Sequence, residues 1–467
     1  MAAAASTGLA LRAFFVFHFP ASGSGDAPFY IELAWNWLKN GVYGVQTDGR
    51  LIPVDARVPG YPAFLAAIFS VAGKSPRAVL LAQVVVDLAA CFLIAWIAAR
   101  LAPESSRRRV AIAGLWLAVL CPFAANYTAV VQTETLITFL TALAILLLME
   151  AMSGNGRARE NGPSIARPAF SKWFLAGIVV GFGTLVRPET PLLLAAMGLV
   201  LVAKWYKPVD WLKLARAVIL LAAGLLLPLL PWAARNWHTL HKIQFLAPRY
   251  AESPGELAPV GFDSWTHTWL WRFGDVYLTV WNLDVDKIPI GSVPANAFDT
   301  SRERAQVGAL LDEYNETLTL SSDEDRAFKK IARERTSRYP LRTFMKIPLL
   351  RCLTMWFTPR VELLPYSGHV FPLQNEWQDD PEDLMVTLIL FFVNCVYVAL
   401  ALAGAWIARG RPGWALLLVF IALRTAFFAG FAEAPEPRYV LECFPAVVAL
   451  GAQVFGGLRQ LSPTGSG

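Results

Sequence analysis

The residues able to do chemistry in this chain sit at the ends of apolar runs. The first such segment, GSGDAPFYIELAWNW at 23–37, sets Asp26 after Gly-Ser-Gly and before Pro28, with Phe29, Leu33 and Trp37 at helical spacing. A carboxylate there suits two tasks, capping the helix N-terminus or accepting a proton as a general base where the helix start meets water. In VDARVPGYPAFLAAIF at 54–69, Arg57 precedes the rigid Pro59-Gly60-Tyr61-Pro62 turn, which aims the next helix back towards an apolar phase. Later runs begin or end on Glu134 in VVQTETLITF, Arg187 and Glu189 in GTLVRPETPL, Arg235 and Asn236 in LPWAARNWH, and Arg438 and Tyr439 in APEPRYVLECFP. One arginine at such an end ordinarily snorkels to headgroups, and Glu134 alone is a polar helix start. Three or more arginines on one face point instead to a phosphate partner, because guanidinium offers paired donors to its oxygens.

The elements that must position these residues are membrane helices. Of 467 residues, 56% are hydrophobic and only 16% charged, too apolar for a water-soluble domain, and runs of about 20 apolar residues recur. The net charge of +6 comes from short basic clusters between the runs, which excludes a nucleic-acid face and reports topology. Spans are expected near 2–20, 77–101, 108–126, 133–152, 172–187, 190–206, 215–234, 384–408, 412–431 and 438–457. The loops after the second, fourth, sixth and eighth spans carry Arg100 with Arg107 to Arg109; Arg157, Arg159, Arg167 and Lys172; Lys204, Lys207, Lys213 and Arg216; and Arg409 with Arg411. Basic loops belong in the cytoplasm, so 23–76, 127–132, 187–190, 235–383 and 432–437 lie outside, and the chemistry-bearing residues share that outer face.

The expected fold is therefore an all-α polytopic membrane protein of about ten transmembrane helices, eleven to thirteen if further segments span. An N-terminal transmembrane module (1–234) carries the first outer loop (21–76). An outer or interfacial insertion (235–383) and a C-terminal transmembrane module (384–467) follow. The opening run, with Arg12 as its only charge, has no basic leader and reads as a short first span, or one truncated by the chosen start, rather than a cleaved signal. Within the insertion, the Trp- and Tyr-rich stretch 262–282 is expected to lie against the bilayer. Ser321 and Glu324 are spaced as a capping box for a helix through DEDRAFKKIARERTSRY, part of a small soluble cap. The stretch 341–359 is apolar but broken by Lys346, Pro348 and Arg351, and reads as interfacial or re-entrant. The five cysteines show neither disulfide nor zinc spacing.

Taken in order, GDAPFYIELAWNWLKNGVYG, RVPGYPAFLA, QTETLITF, GFGTLVRPE, PWAARNW and EPRYVLECFPAVVAL resemble the GT-C superfamily of membrane glycosyltransferases. The closer likeness is to the bacterial branch related to protein O-mannosyltransferases and the aminoarabinose transferase of lipid A. The resemblance covers nearly all the chain, and its specificity lies in the ordered combination of short motifs. It implies a GT-C fold in the bacterial cytoplasmic membrane and inverting transfer of a monosaccharide from a polyprenyl-phosphate carrier to a lipid, glycan or protein acceptor at the outer face. It makes Asp26 the catalytic base and gives Arg57, Arg235 and Arg438 the carrier phosphate, with Tyr439 hydrogen-bonding the same group. Tyr61, Arg187 and Asn236 complete the expected substrate-binding set. Glu134 matches an acid used for acceptor contact or for supporting a divalent metal ion. Many relatives carry an Asp-Glu pair where this chain has Asp26 and Ala27, which leaves metal dependence open.

Two other readings compete. A transporter or flippase of a lipid-linked or anionic substrate is suggested by Asp87 in VVVDLAAC and Arg424 in ALRTAFF, each near mid-span, although the two are expected to pair as a structural lock. A lipid-linked glycan ligase or polymerase would share the outer arginines without needing Asp26.

Overall fold

The computed structural model describes residues 1–21, 23, 25–157, 169–205, 211–248, 257–370 and 373–456; Arg159, Arg167 and Lys207 of the predicted basic loops lie outside the described residues. In chain order the elements are α1 (Ala2–His18), α2 (Ala27–Asn40), β1 (Gly44–Thr47), β2 (Arg50–Pro53), α3 (Gly60–Ala72), α4 (Pro76–Leu101), α5 (Arg107–Val119), α6 (Pro122–Asn126), α7 (Glu134–Arg157), α8 (Ala169–Val186), α9 (Leu192–Trp205) and α10 (Trp211–Leu240). There follow α11 (Val260–Thr266), α12 (Gly274–Tyr277), α13 (Ser301–Thr317), α14 (Ser322–Arg338), α15 (Ile347–Trp356), α16 (Leu373–Asp379), α17 (Pro381–Ile407), α18 (Trp414–Phe431) and α19 (Phe444–Gly451).

The protein is an integral membrane protein. Among the described residues, α4, α7, α10, α17, α18 and the Pro437–Gly456 run around α19 are long and apolar enough to cross a bilayer; α5 with Pro122–Ala129, bent by 47°, makes a seventh if counted as one span. All ten predicted spans fall on helices, but α1, α8 and α9 are shorter apolar helices of 10–17 described residues. Length and composition alone therefore support six or seven of the ten.

The chain divides into two compact units, one of Met1–Arg249, Pro359–Ala422 and Leu441–Gly467, the other of Tyr250–Thr358 and Leu423–Val440. In the first unit, α8 and α10 meet through small residues. A Cβ on Gly177 would stand 2.4 Å from the Leu221 carbonyl oxygen, and one on Gly224 2.3 Å from that of Phe174. Gly177 and Gly181 form a G-x-x-x-G pair, which lets apolar helices pack backbone to backbone where no hydrophobic force distinguishes protein from lipid.

The predicted Asp87–Arg424 lock is corrected. Asp87 on α4 pairs with Arg12 on α1, Nε to Oδ2 at 2.6 Å, and the Arg12 guanidinium also donates to the Val119 carbonyl oxygen at 2.7 Å. Both side chains are buried. Arg424 donates to the Tyr439 carbonyl oxygen at 2.7 Å and lies over the Phe428 ring. The transporter reading loses its motivating charge at Asp87, since a carboxylate neutralised by an adjacent guanidinium offers little to a passing substrate.

The second unit packs around Phe262, Trp265, Trp269, Val307, Tyr314 and Phe328. This corrects the expected bilayer contact of 262–282. Its first half is the core of the unit, while Tyr277, Leu278 and Trp281 in the second half are exposed. Aromatic density by itself does not tell a headgroup belt from a core, because the same amphipathic rings serve both. The capping box is formed: the Glu324 N–H donates to Ser321 Oγ at 3.2 Å and the Ser321 N–H to Glu324 Oε2 at 2.6 Å.

Candidate active site

Pro28 in the first turn and Gly41, left-handed at φ 69°, bound α2 and leave Asp26 at its N-cap position. The side chain makes no capping bond. Asp26 Oδ1 instead accepts a hydrogen bond from Arg57 Nη2 at 3.1 Å, and the two side chains remain 35% and 32% exposed. Arg57 also donates to the Ala56 carbonyl oxygen and lies over the Phe29 ring. Burial works against its charge, but Asp26 and Tyr30 outweigh that and push its pKa up. Burial first, then the Asp26 charge, push the Tyr30 hydroxyl up to about 12, so it stays a protonated donor beside the pair.

Between α2 and α3 runs a hairpin. Thr47 pairs with Arg50 across a two-residue Asp48-Gly49 turn, both residues at positive φ, as a type I′ turn requires. Arg235, on the last turns of α10, staples the base of this hairpin. Its Nη1 donates to the Val54 carbonyl oxygen at 2.8 Å and to Asn236 Oδ1 at 2.9 Å, and Nη2 to the Tyr43 carbonyl oxygen at 2.6 Å. Asn236 is buried and donates to the Gln244 carbonyl oxygen at 3.1 Å. Both ends of its amide are thus engaged, one by Arg235 and one by the Gln244 backbone. Beside Arg235 lies a mostly apolar groove of about 460 Å³ whose lining includes Trp37, Tyr43, Pro59, Phe182 and Trp232.

Arg187 is the centre of an acidic cluster. Its Nη2 meets Glu134 Oε1 at 2.7 Å, Nε donates to Thr133 Oγ1 at 3.0 Å, and Nη1 meets Glu442 Oε1 at 3.3 Å and Glu189 Oε1 at 3.9 Å. Three carboxylates surround one guanidinium, which ties α7 to the Glu442 segment. Tyr61 is fully buried and donates to Gln83 Oε1 at 2.7 Å, which holds α3 against α4.

In the second unit, Arg438 contacts Glu436 through Nε at 2.5 Å, and the Tyr439 hydroxyl donates to the same carboxylate at 2.9 Å while its ring stacks on Phe428 with centroids 4.3 Å apart. Among the described residues, no group of three or more His, Cys, Asp and Glu side chains is placed to hold a metal ion.

A sequence profile of the dolichyl-phosphate-mannose-protein mannosyltransferase family matches residues 56–233. No curated protein matches the chain in sequence. Among solved structures, the Archaeoglobus fulgidus oligosaccharyltransferase in a complex with zinc and sulfate is similar at a TM-score of 0.50 and 14% identity, over 98% of this chain and 51% of that one. The oligosaccharyltransferase AglB of Archaeoglobus fulgidus, in complex with an inhibitory peptide and a dolichol-phosphate, gives 0.50 and 13% over 100% and 52%. The chain shares the fold of these membrane oligosaccharyltransferase structures. ArnT from Cupriavidus metallidurans bound to undecaprenyl phosphate gives 0.42 and 11% over 98% and 76%. The chain spans about half the length of the archaeal structures it matches.

Three features that position the site carry faint sequence signals. Gln83 is a lone amide inside an apolar run; fully buried, it accepts from Tyr61 and donates to the Thr128 and Val130 carbonyl oxygens at 3.3 and 2.7 Å. The segment it holds accepts the N–H of Ala21, five residues before Asp26, at the Ala129 carbonyl oxygen, 2.9 Å away, and leads directly into Glu134. Glu442 sits unremarked inside VLECFP, and the Asp48-Gly49 dipeptide is a hairpin signal with short flanks.

Proposed function

We propose that this protein is a GT-C glycosyltransferase that transfers a monosaccharide, with inversion, from a polyprenyl-phosphate carrier to an acceptor at the outer face of a bacterial cytoplasmic membrane. The observation that carries this reading is the Asp26–Arg57 pair, a partly exposed carboxylate and guanidinium 3.1 Å apart at the start of a helix. The match to the dolichyl-phosphate-mannose-protein mannosyltransferase profile supports a lipid-phosphate sugar as the donor class. The dolichol-phosphate bound to the archaeal relative of like fold supports the same class.

In this scheme the acceptor hydroxyl loses its proton to the Asp26 carboxylate as its oxygen attacks the anomeric carbon. The bond from that carbon to the phosphate oxygen breaks, and its electron pair leaves on the phosphate. A positioned base of this kind contributes about 10²–10⁴-fold. Arg57 neutralises the departing phosphate. In the free protein it also occupies the base, so an arriving phosphate that draws Arg57 to itself frees Asp26 at the moment it is needed. The groove beside Arg235 supplies apolar surface suited to part of the isoprenoid chain.

The test is sugar transfer by Asp26→Asn in liposomes, with carrier binding measured on the same preparation. Transfer should fall at least a hundredfold while the carrier is retained. Undiminished transfer removes Asp26 from the chemistry. Comparing carrier-linked sugars by mass spectrometry between host cells with and without the protein then names the donor.

A further inference from the structure

The second unit carries a face that the proposed transfer leaves unused. After α14 the chain passes through a π-helical turn, Arg342–Lys346, into α15. One side of this stretch is fixed from behind. Ile347, Arg351 and Met355 are buried, and the Arg351 guanidinium donates to the Leu270 and Ala432 carbonyl oxygens at 2.8 and 2.7 Å. The other side exposes Leu341, Phe344, Met345, Leu349, Leu353 and Phe357. Steps of three and four residues gather most of them into one stripe along the helix. Six large apolar side chains on a rigidly held face form a patch that water does not favour, in a chain that already crosses a bilayer.

At the N-terminal end of the stripe lies a basic pocket of about 500 Å³ lined by Arg338, Tyr339, Pro340, Leu341, Arg342 and Lys346. Asp299 binds Arg342 at 2.5 Å and Arg338 at 3.2 Å, and Glu303 joins Arg335 and Arg338. Arg335, Arg338 and Arg342 thus share two carboxylates and Lys346 adds a further cation, so the pocket keeps a positive excess. The Arg342 Nε is buried without a hydrogen-bond partner, a donor that an anion's oxygen can satisfy. A π-helical turn at this spot is itself a feature often associated with binding sites.

We propose that this face seats the second unit on the bilayer, with the stripe among acyl chains and the Arg342–Lys346 pocket holding the phosphate of an anionic lipid headgroup. The apolar stripe beside the cations selects a lipid over free phosphate, since it can bury acyl chain while the guanidinium grips the headgroup.

Two arms of one experiment test this on the full chain in nanodiscs of phosphatidylglycerol and phosphatidylcholine. A benzophenone amino acid at position 349 should form lipid adducts on irradiation, at least fivefold more than one at position 326 on α14; equal adduct yields overturn the apolar seat. After transfer to detergent, native mass spectrometry should show retained phosphatidylglycerol falling at least threefold in Lys346→Gln and further in Arg342→Gln with Lys346→Gln. Lys346 is an exposed side chain, so its single variant keeps the fold intact for this readout. Retention equal to wild type in both variants, or displacement of the lipid by millimolar inorganic phosphate, overturns the headgroup site.

Discussion

Arg57 reaches back across 31 positions of chain to place Nη2 3.1 Å from the Asp26 carboxylate. The base and the phosphate ligand of the proposed reaction therefore hold each other until a donor arrives. Replacing the cation separates these functions. In Arg57→Gln the donor loses a charge-assisted hydrogen bond worth about 1.5–3 kcal/mol, so its dissociation constant should rise tenfold or more by isothermal titration. Affinity equal to wild type would remove Arg57 from the phosphate.

The Arg12–Asp87 pair is a second charge relationship, buried and structural. Removing one partner leaves an uncompensated charge, so Arg12→Leu should cost about 3–5 kcal/mol and lower the thermal denaturation midpoint in detergent. Arg12→Met with Asp87→Leu should recover much of that loss. Pairing Asp87→Asn with Arg424→Leu should instead give additive effects, because Arg424 bonds to the Tyr439 carbonyl oxygen.

Gln83 tests whether the scaffold behind the site is specific. Gln83→Leu leaves the Tyr61 hydroxyl and the Thr128 and Val130 carbonyl oxygens without that amide, each at about 1–3 kcal/mol of desolvation. Thermal stability should drop by several degrees. Tyr61→Phe, which removes only one donor, should be milder, and a reversed order would contradict the geometry.

Acid should weaken the second unit through Asp299. Burial opposes its charge, but the Arg342 hydrogen bond and the charges of Arg335, Arg342 and Arg338 hold its carboxyl below the usual range. A depressed folded-state pKa gives stability that is fully present above the unfolded value, near 4, and is lost as pH falls through the folded one. Tryptophan fluorescence of the full chain should therefore show an unfolding step below about pH 4 that Asp299→Asn makes shallower.

Close helix packing gives a fifth measurement. Gly224→Val places side-chain atoms where the Phe174 carbonyl oxygen already stands 2.3 Å from a Cβ. α8 and α10 must separate, and yield in the membrane fraction should fall, whereas Gly198→Ala on α9, which meets nothing within 4 Å, should be neutral.

Much of the helical frame was legible because a bilayer demands long apolar runs, and runs are local. The Ser321–Glu324 box was legible because its partners lie three residues apart. Pairings were not. Asp87 offered its charge to any buried cation, and choosing Arg12 over Arg424 depends on which helices pack. The Trp265 and Trp269 rings likewise had the composition of a headgroup belt until burial made them a core.

The sequence alone determined that Asp26 starts a helix after the first apolar run, with Arg57 ahead of a rigid turn, because Pro28, Gly41 and the Pro59–Pro62 turn act within a few bonds. Tertiary structure alone decided that Asp26 turns from its own helix to Arg57, that Arg187 lies among carboxylates, and that Arg235 clamps a hairpin. Each depends on side chains tens to hundreds of positions apart competing for the same donors, a contest settled only when packing brings them within hydrogen-bond reach.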